Sequence, residues 1–133
     1  MADCIFCKII EGRQAAHKIW EDMDFLAFLD RNPVNPGHTL VIPKKHADYI
    51  FDLQEPLYSG IFKVAKKLAG PIKRVMNCKR VGLGIEGFDV PHVHIHLIPL
   101  NKPGEFDPKR ARPATKEELA EVAERIRNVI GKL

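Results

Sequence analysis

Nowhere does the chain carry an apolar run approaching the ~18 residues that a membrane-spanning helix needs. Its opening residues include Asp3 and lack a basic start followed by an apolar stretch, so no signal peptide is expected. A soluble, cytoplasmic protein with no membrane partner is the default expectation. Cysteine is scarce: three residues cannot make a complete disulfide set. Aromatics make up 8% and are not interleaved with the basic residues, which argues against a nucleic-acid surface. Internal repeats and low-complexity tracts are absent, and no domain boundary is evident before residue 100.

What is present fits one domain spanning residues 1–133: 15.1 kDa and 45% hydrophobic content suffice for a single core. The net charge of +4 and pI near 9.0 suit an anionic ligand without naming one. The basic residues are spread as solvated surface, including Lys44 and Lys45. Only Lys109, Arg110 and Arg112 fall in a proline-rich segment able to cover a site. Cys4-x-x-Cys7 is a thiol pair suited to metal or redox chemistry, whereas the solitary Cys78 reads as a small core residue.

Along the chain, residues 4–11 read as a short helix ending at Gly12. Strand-like runs follow at about 17–21, 24–30 and 38–43, the first two joined by a turn at Asp22-Met23-Asp24. Two prolines and a glycine force an irregular loop over Asn32–Gly37. From Asp52, with Glu55 three residues on, a capping box is expected to start a long helix. Its apolar stripe runs from Leu57 to Met76 and resumes in phase after Gly70-Pro71, which predicts a kink there. Strands are expected at 80–86 and 93–99, closing a core of about 4–100. A loop follows over 101–114, then a C-terminal helix over 115–131, capped by Thr115 and Glu118 and ended by Gly131. Five strands with hairpin-length connections and two main helices define an α+β domain with a five-stranded, mainly antiparallel sheet.

The strongest signal is His92-Val93-His94-Ile95-His96-Leu97-Ile98, which holds three of the six histidines within five residues. Strand side chains alternate faces, so the three imidazoles should share one side while Val93, Ile95 and Leu97 bury the other. Imidazole acts as base, nucleophile or metal ligand near neutrality. An ordinary strand with a histidine-bearing exposed face is the blander alternative.

This heptad fills every position of the His-φ-His-φ-His-φ-φ signature, φ being hydrophobic, and so resembles the histidine triad (HIT) family. Gly37-His38-Thr39-Leu40-Val41-Ile42-Pro43-Lys44-Lys45-His46 and Cys4-Ile5-Phe6-Cys7-Lys8-Ile9-Ile10 resemble two further blocks of that family, in its order along the chain. The resemblance implies the same α+β architecture, as a homodimer. It also implies attack by His94 on the α-phosphorus of a purine nucleotide, with a covalent nucleotidyl-histidine formed on the way. The substrate would be a nucleoside 5′-phosphoramidate or a dinucleoside polyphosphate. His96 would contact phosphate oxygens and the leaving-group side, and His38 would lie near His92 and the phosphate. His38 hydrogen-bonded to a backbone carbonyl in a structural role is the competing account. Ile5, Phe6, Ile9, Phe28 and Leu40 would contact the base and Asp30 the ribose; plain core packing and a turn aspartate are the alternatives.

Cys4 and Cys7 have the spacing at which two thiolates grip one ion, and the resemblance supplies His46 and His92 as further ligands for a structural Zn²⁺. A single metal held by His92, His94 and His96, as in a metal hydrolase, is the rival arrangement; three alternating positions span too far for it without a bulge. One stretch departs from the family's common pattern. Gly87-Phe88-Asp89-Val90-Pro91 replaces the usual amide and hydroxyl contacts to phosphate, and an ionised Asp89 near a phosphate would repel it. A nucleotide-binding or scaffolding protein with incidental hydrolysis is the alternative function.

Overall fold

The structure is a computed structural model that describes residues 4–131. Asp3, which bears on the expected lack of a signal peptide, lies outside these residues, as do the last two positions of the expected domain. Five antiparallel strands form one sheet: β1 (Lys18–Glu21), β2 (Phe25–Leu29), β3 (Thr39–Pro43), β4 (Arg80–Gly84) and β5 (Ile95–Leu100), in the order β1-β2-β3-β5-β4. The helices are α1 (Ile5–Ile10), α2 (Leu57–Met76) and α3 (Lys116–Ile130), with single 3₁₀ turns at Ile50–Asp52 and Pro108–Arg110.

The β1–β2 turn forms where expected. Asp22 Oδ1 accepts from the backbone N–H groups of Asp24 (2.9 Å) and Phe25 (2.7 Å), so the turn is locked by its own side chain. β2 and β3 are buried throughout, and their alternation sorts residues into two layers. Phe25, Ala27, Leu29 and Val41 join α2 and α3 in the larger core. Leu26, Phe28, Leu40 and Ile42 pack instead with Cys4, Phe6, Cys7 and Ile9 of the α1 segment. At about 1.5–3 kcal/mol for each large apolar side chain buried, both layers hold the sheet, and the α1 layer is the smaller. Leu40 of β3 faces His96 of β5 across the ladder, which puts that histidine on the α1 side.

Several boundaries differ from the sequence-based expectation. α2 begins at Leu57 rather than at Asp52, which lies in a 3₁₀ turn. Pro56 supplies no N–H and disfavours helical backbone at Glu55, which places the helix start after it. The Glu55 carboxylate reaches forward, accepting from Ser59 N–H (2.8 Å) and its hydroxyl (2.6 Å), so the expected capping box is not made. α2 is assigned as one unbroken helix across Pro71 and ends at Asn77, whose φ of 50° gives a left-handed cap. The Thr115–Glu118 capping box is present in both directions. Gly131 ends α3 with an ordinary φ of −62°, without the left-handed turn a terminal glycine usually supplies. The last strand starts at Ile95, two residues later than expected, and β4 stops at Gly84.

The 101–114 segment is tied down rather than free. Glu105 accepts from the N–H groups of Asn101 (2.6 Å) and Lys102 (3.1 Å). Arg112 N–H donates to the Pro33 carbonyl and Ala114 N–H to that of Arg31, which lays the segment along the 31–35 loop.

Candidate active site and metal centre

The expected alternation of the histidine run is observed, with part of it ahead of the strand. Val93, Ile95 and Leu97 are at most 2% exposed and join the larger core. The three histidines turn to the α1 side, His92 fully buried and His94 2% exposed. His92 and His94 precede β5, held extended by a Val93 N–H bond to the Ala47 carbonyl (2.6 Å).

Each ring of the three is committed to a different partner. His92 Nε2 lies 2.8 Å from the Pro43 carbonyl, which can only accept, so Nε2 carries the proton and Nδ1 presents a lone pair. That lone pair points at two sulfurs: Cys4 Sγ at 3.4 Å and Cys7 Sγ at 3.6 Å. His46 Nδ1 lies 3.3 Å from Cys7 Sγ, and all four ligand atoms lie within 4.8 Å of one another. Bond lengths of about 2.0–2.3 Å to a tetrahedral ion place neighbouring N and S ligands about 3.5 Å apart, which these spacings match. Burial raises the Cys7 thiol, and Cys4 beside it adds to the rise; burial keeps His92 neutral by lowering its pKa. Two thiols beside two imidazoles form a donor set suited to a thiophilic dication. Cys4 and Cys7 reach it from one turn of chain, Cys4 as the α1 N-cap and Cys7 one turn on.

His94 is oriented by its own backbone neighbour. Its Nδ1 lies 2.7 Å from the His92 carbonyl and therefore donates, leaving Nε2 with its lone pair available. Phe6 meets the ring edge-on, 5.1 Å between centroids. His96 is set by a relay: Val34 N–H donates to His38 Nδ1 (3.0 Å), so His38 Nε2–H donates to His96 Nδ1 (2.9 Å), leaving His96 Nε2–H outward. Burial, with His96 close by, pushes His38 down to about 3. Burial, then His94, pushes His96 down to about 4, so both rings are neutral near pH 7. His38, just ahead of β3, is thus paired with the third histidine of the run, while His92 turns to the cysteines. Its backbone partner is an N–H donor, not the carbonyl of the structural account. The rival single-metal arrangement on His92, His94 and His96 is not formed, since their nitrogens face sulfur, a carbonyl and His38 respectively.

A cavity of about 460 Å³ opens beside His94 and His96, and Ile5, Phe6, Ile9, Phe28, Asp30 and Leu40 all line it. Asp30 Oδ1 accepts from Asn32 N–H (2.9 Å), and Oδ2 lies 3.6 Å from His38 Nε2. Burial raises the Asp30 pKa, and Asp89 adds to the rise against the Asn32 bond. Asp89 also lines the cavity. Lys116 at the start of α3 also lines the cavity, and nothing in its sequence neighbourhood marks it. Lys44 is engaged by Glu21 at 2.7 Å. Arg110 bonds Asn35 and Arg112 bonds the Lys109 and Ala111 carbonyls, so both tie loops together rather than forming an open patch. The carbonyls of Pro43 and His92, which select two tautomers, carry no sequence signal.

Known proteins are similar in sequence and in fold. A HIT domain family model matches residues 11–103. The chain is 40% identical over 117 residues to an uncharacterized HIT-like protein of Borreliella burgdorferi, covering 83% of this chain and 84% of that one. It is 38% identical over 99 residues to the adenosine 5′-monophosphoramidase HNT1 of Saccharomyces cerevisiae, covering 74% of this chain and 63% of that one. The crystal structure of a zinc-bound histidine triad family protein from Mycobacterium smegmatis superposes with a TM-score of 0.85 at 27% identity, over 98% of this chain and 95% of that one. The chain belongs to the histidine triad family.

Proposed function

We propose that this HIT-type hydrolase cleaves the bond between the α-phosphorus of a purine nucleotide and its leaving group, through a nucleotide carried covalently on His94. The observation that carries the reading is the His94 tautomer: Nδ1–H is spent on the His92 carbonyl, so the free lone pair of Nε2 is the one available at the cavity. The nucleobase lies among Ile5, Phe6, Ile9, Phe28 and Leu40, and Asp30 accepts from the ribose hydroxyls. His94 Nε2 bonds to phosphorus as the bond to the leaving group breaks, and the His92 carbonyl steadies the positive charge that the ring gains. His96 Nε2–H donates to a phosphate oxygen, its direction kept by His38. Water then attacks phosphorus, the P–N bond breaks, and a nucleoside monophosphate departs. The activity named for the yeast relative supports this reading.

We assign Zn²⁺ to Cys4, Cys7, His46 and His92 as a closed, structural site, a reading supported by their spacing and by the zinc-bound mycobacterial neighbour. Held by these four residues, the ion would stabilise the thiolate forms, and Cys4, Cys7 and His46 would through it fix His92 and thereby the carbonyl that orients His94. We further propose one domain, acting in the reducing cytoplasm as its free cysteines favour, and pairing as a homodimer along the outer edge of β4. Among the described residues that edge strand has no neighbour on its outer side, and its Leu83 is 45% exposed.

The test is intact-protein mass spectrometry after brief exposure to AMP phosphoramidate, together with steady-state rates. A nucleotidyl adduct is expected on the native protein, and His94→Ala should lose the adduct and about 10⁴–10⁶ in turnover. Native-like turnover by the folded His94→Ala protein would end the covalent reading. Tight nucleotide binding with no turnover by the native protein would favour a scaffolding role instead.

A further inference from the structure

We propose that Cys4 and Cys7 form an oxidation site: peroxide joins them as a disulfide, the cluster loses two of its four ligands, and hydrolysis slows until a thiol reductant restores the pair. The proposal rests on the zinc assignment and on His94 as the nucleophile.

The chain geometry suits the bond. Cys4 caps α1 and Cys7 is its third residue, and the Lys8 N–H bond to the Cys4 carbonyl (3.0 Å) puts both on one helical turn. Positions three apart in such a turn have Cα atoms about 5 Å apart. That lies inside the roughly 4.4–6.8 Å that a disulfide spans. An N-cap side chain ordinarily bonds a backbone N–H of the first turn. Cys4 makes no such bond, and its sulfur turns to the cluster instead. The two sulfurs lie within 4.8 Å of one another and share His92 Nδ1. Side-chain rotation closes them to about 2.05 Å and turns them from His92 and His46.

Access favours a small oxidant. Cys4 and Cys7 are 7% and 8% exposed, so each residue keeps a little solvent contact. Cys78 lies outside the cluster, its sulfur 4.0 Å from the Lys73 carbonyl, and does not compete. One sulfur, as thiolate, attacks a peroxide oxygen; the O–O bond breaks, hydroxide leaves and takes a proton, and a sulfenic acid forms. The second thiolate attacks that sulfur, the S–O bond breaks, and a second hydroxide leaves and is protonated. Two thiolates, one peroxide and two protons thus give a disulfide and two waters. In the reducing compartment proposed above the pair rests reduced, so the bond forms only under oxidant and is reversible.

The effect on the site follows from the packing. His46 and His92 alone are too few to hold the ion as a closed site does. The six-residue α1 then loses one of its anchors, and Phe6 on that helix lies 5.1 Å from His94 and 5.9 Å from His92, ring to ring. The disturbance reaches the nucleophile through the Phe6 ring and through the His92 carbonyl.

The experiment treats the zinc-loaded native protein and Cys78→Ser with hydrogen peroxide, without added thiols, and follows zinc release with a chromogenic chelator. Intact mass, peptide mapping and AMP phosphoramidate turnover are read on the same samples. Both proteins should release about one zinc per chain as the Cys4–Cys7 peptide becomes internally cross-linked. Turnover should fall by about 10-fold or more and return with dithiothreitol and added zinc. Thiols do not reverse methionine oxidation, so that recovery belongs to the cysteines. Oxidised glutathione, a far larger oxidant, should release zinc more slowly than peroxide. Zinc and turnover unchanged by peroxide, or a disulfide that forms while zinc stays bound, overturns the proposal and leaves both earlier readings intact. Zinc lost with sulfinic acid formed and no cross-link also overturns it. A native protein that binds no zinc overturns the zinc assignment as well. One that holds zinc yet turns over no substrate overturns the His94 reading, and with it the control of hydrolysis.

Discussion

Two identical side chains two residues apart, His94 and His96, present opposite chemistry because the groups facing their Nδ1 atoms differ. A carbonyl facing Nδ1 leaves His94 with a lone pair at Nε2, while the His38 donor facing Nδ1 leaves His96 with a proton there. His38 is therefore a positioning residue. His38→Leu should strand the Val34 N–H without an acceptor, costing about 1–3 kcal/mol in urea melts. It should also release the His96 tautomer, lowering kcat by about 10–100-fold with KM little changed. The same rings set an acid limit. Because the folded pKa of His38 (about 3) and that of His96 (about 4) lie below the ordinary 6.5, the unfolded chain takes up protons there before the folded one. Stability contributed by keeping them neutral is present above about pH 6.5 and is lost progressively toward pH 4 and then 3. Urea midpoints measured from about pH 7 down to about pH 5 should fall, and fall less steeply in His38→Leu, which has one such ring fewer.

At the scale of elements, α1 is the piece whose stability is most borrowed. Six residues make less than two turns, too few to persist alone, and its N-cap makes no side-chain hydrogen bond. Packing of Phe6 and Ile9 holds it on one side, and the Cys4–Cys7–His46–His92 cluster on the other. Cys7→Ser should abolish about one equivalent of bound zinc by elemental analysis and lower the melting temperature by several degrees. Turnover should fall as well, since the freed His92 no longer fixes the carbonyl that orients His94. Retention of stoichiometric zinc by the folded variant would move the metal elsewhere. α2 shows a different lesson: Pro71 lies inside a helix that continues because its apolar stripe, from Ile61 to Val75, packs on the sheet on both sides of it. Tertiary burial there outweighs a local defect of about 3 kcal/mol.

Across the whole molecule the sheet separates tasks: one face carries the main core beneath α2 and α3, and the other carries every histidine of the site. The proposed homodimer would use the edge of β4. Sedimentation should give twice the 15.1 kDa chain mass, and Leu83→Asp should shift the protein to monomer while His94-dependent adduct formation is measured in parallel. A native protein that sediments as a monomer at working concentration would remove the β4 interface.

Much of this was legible in the chain itself, for local reasons. Alternation at residues 92–98 announces its two faces because strand geometry repeats every second residue, and the Asp22 turn and Thr115 cap depend only on close neighbours. The start of α2 shows the limit of local patterns: Asp52 and Glu55 fit a capping box, but the proline beside them moves the start to Leu57. What the fold alone decided is which histidine is which. That depends on a carbonyl from residue 43, an N–H from residue 34 and two sulfurs from the opening turn, all brought near residues 92–96 by strand pairing. The contact of Phe106 with Gly82 and Gly84 is likewise a product of packing, because those glycines have no evident purpose until residue 106 folds back onto them. Periodicity travels with the chain, whereas proton positions and cavities belong to groups that are distant in sequence and meet only when the sheet closes.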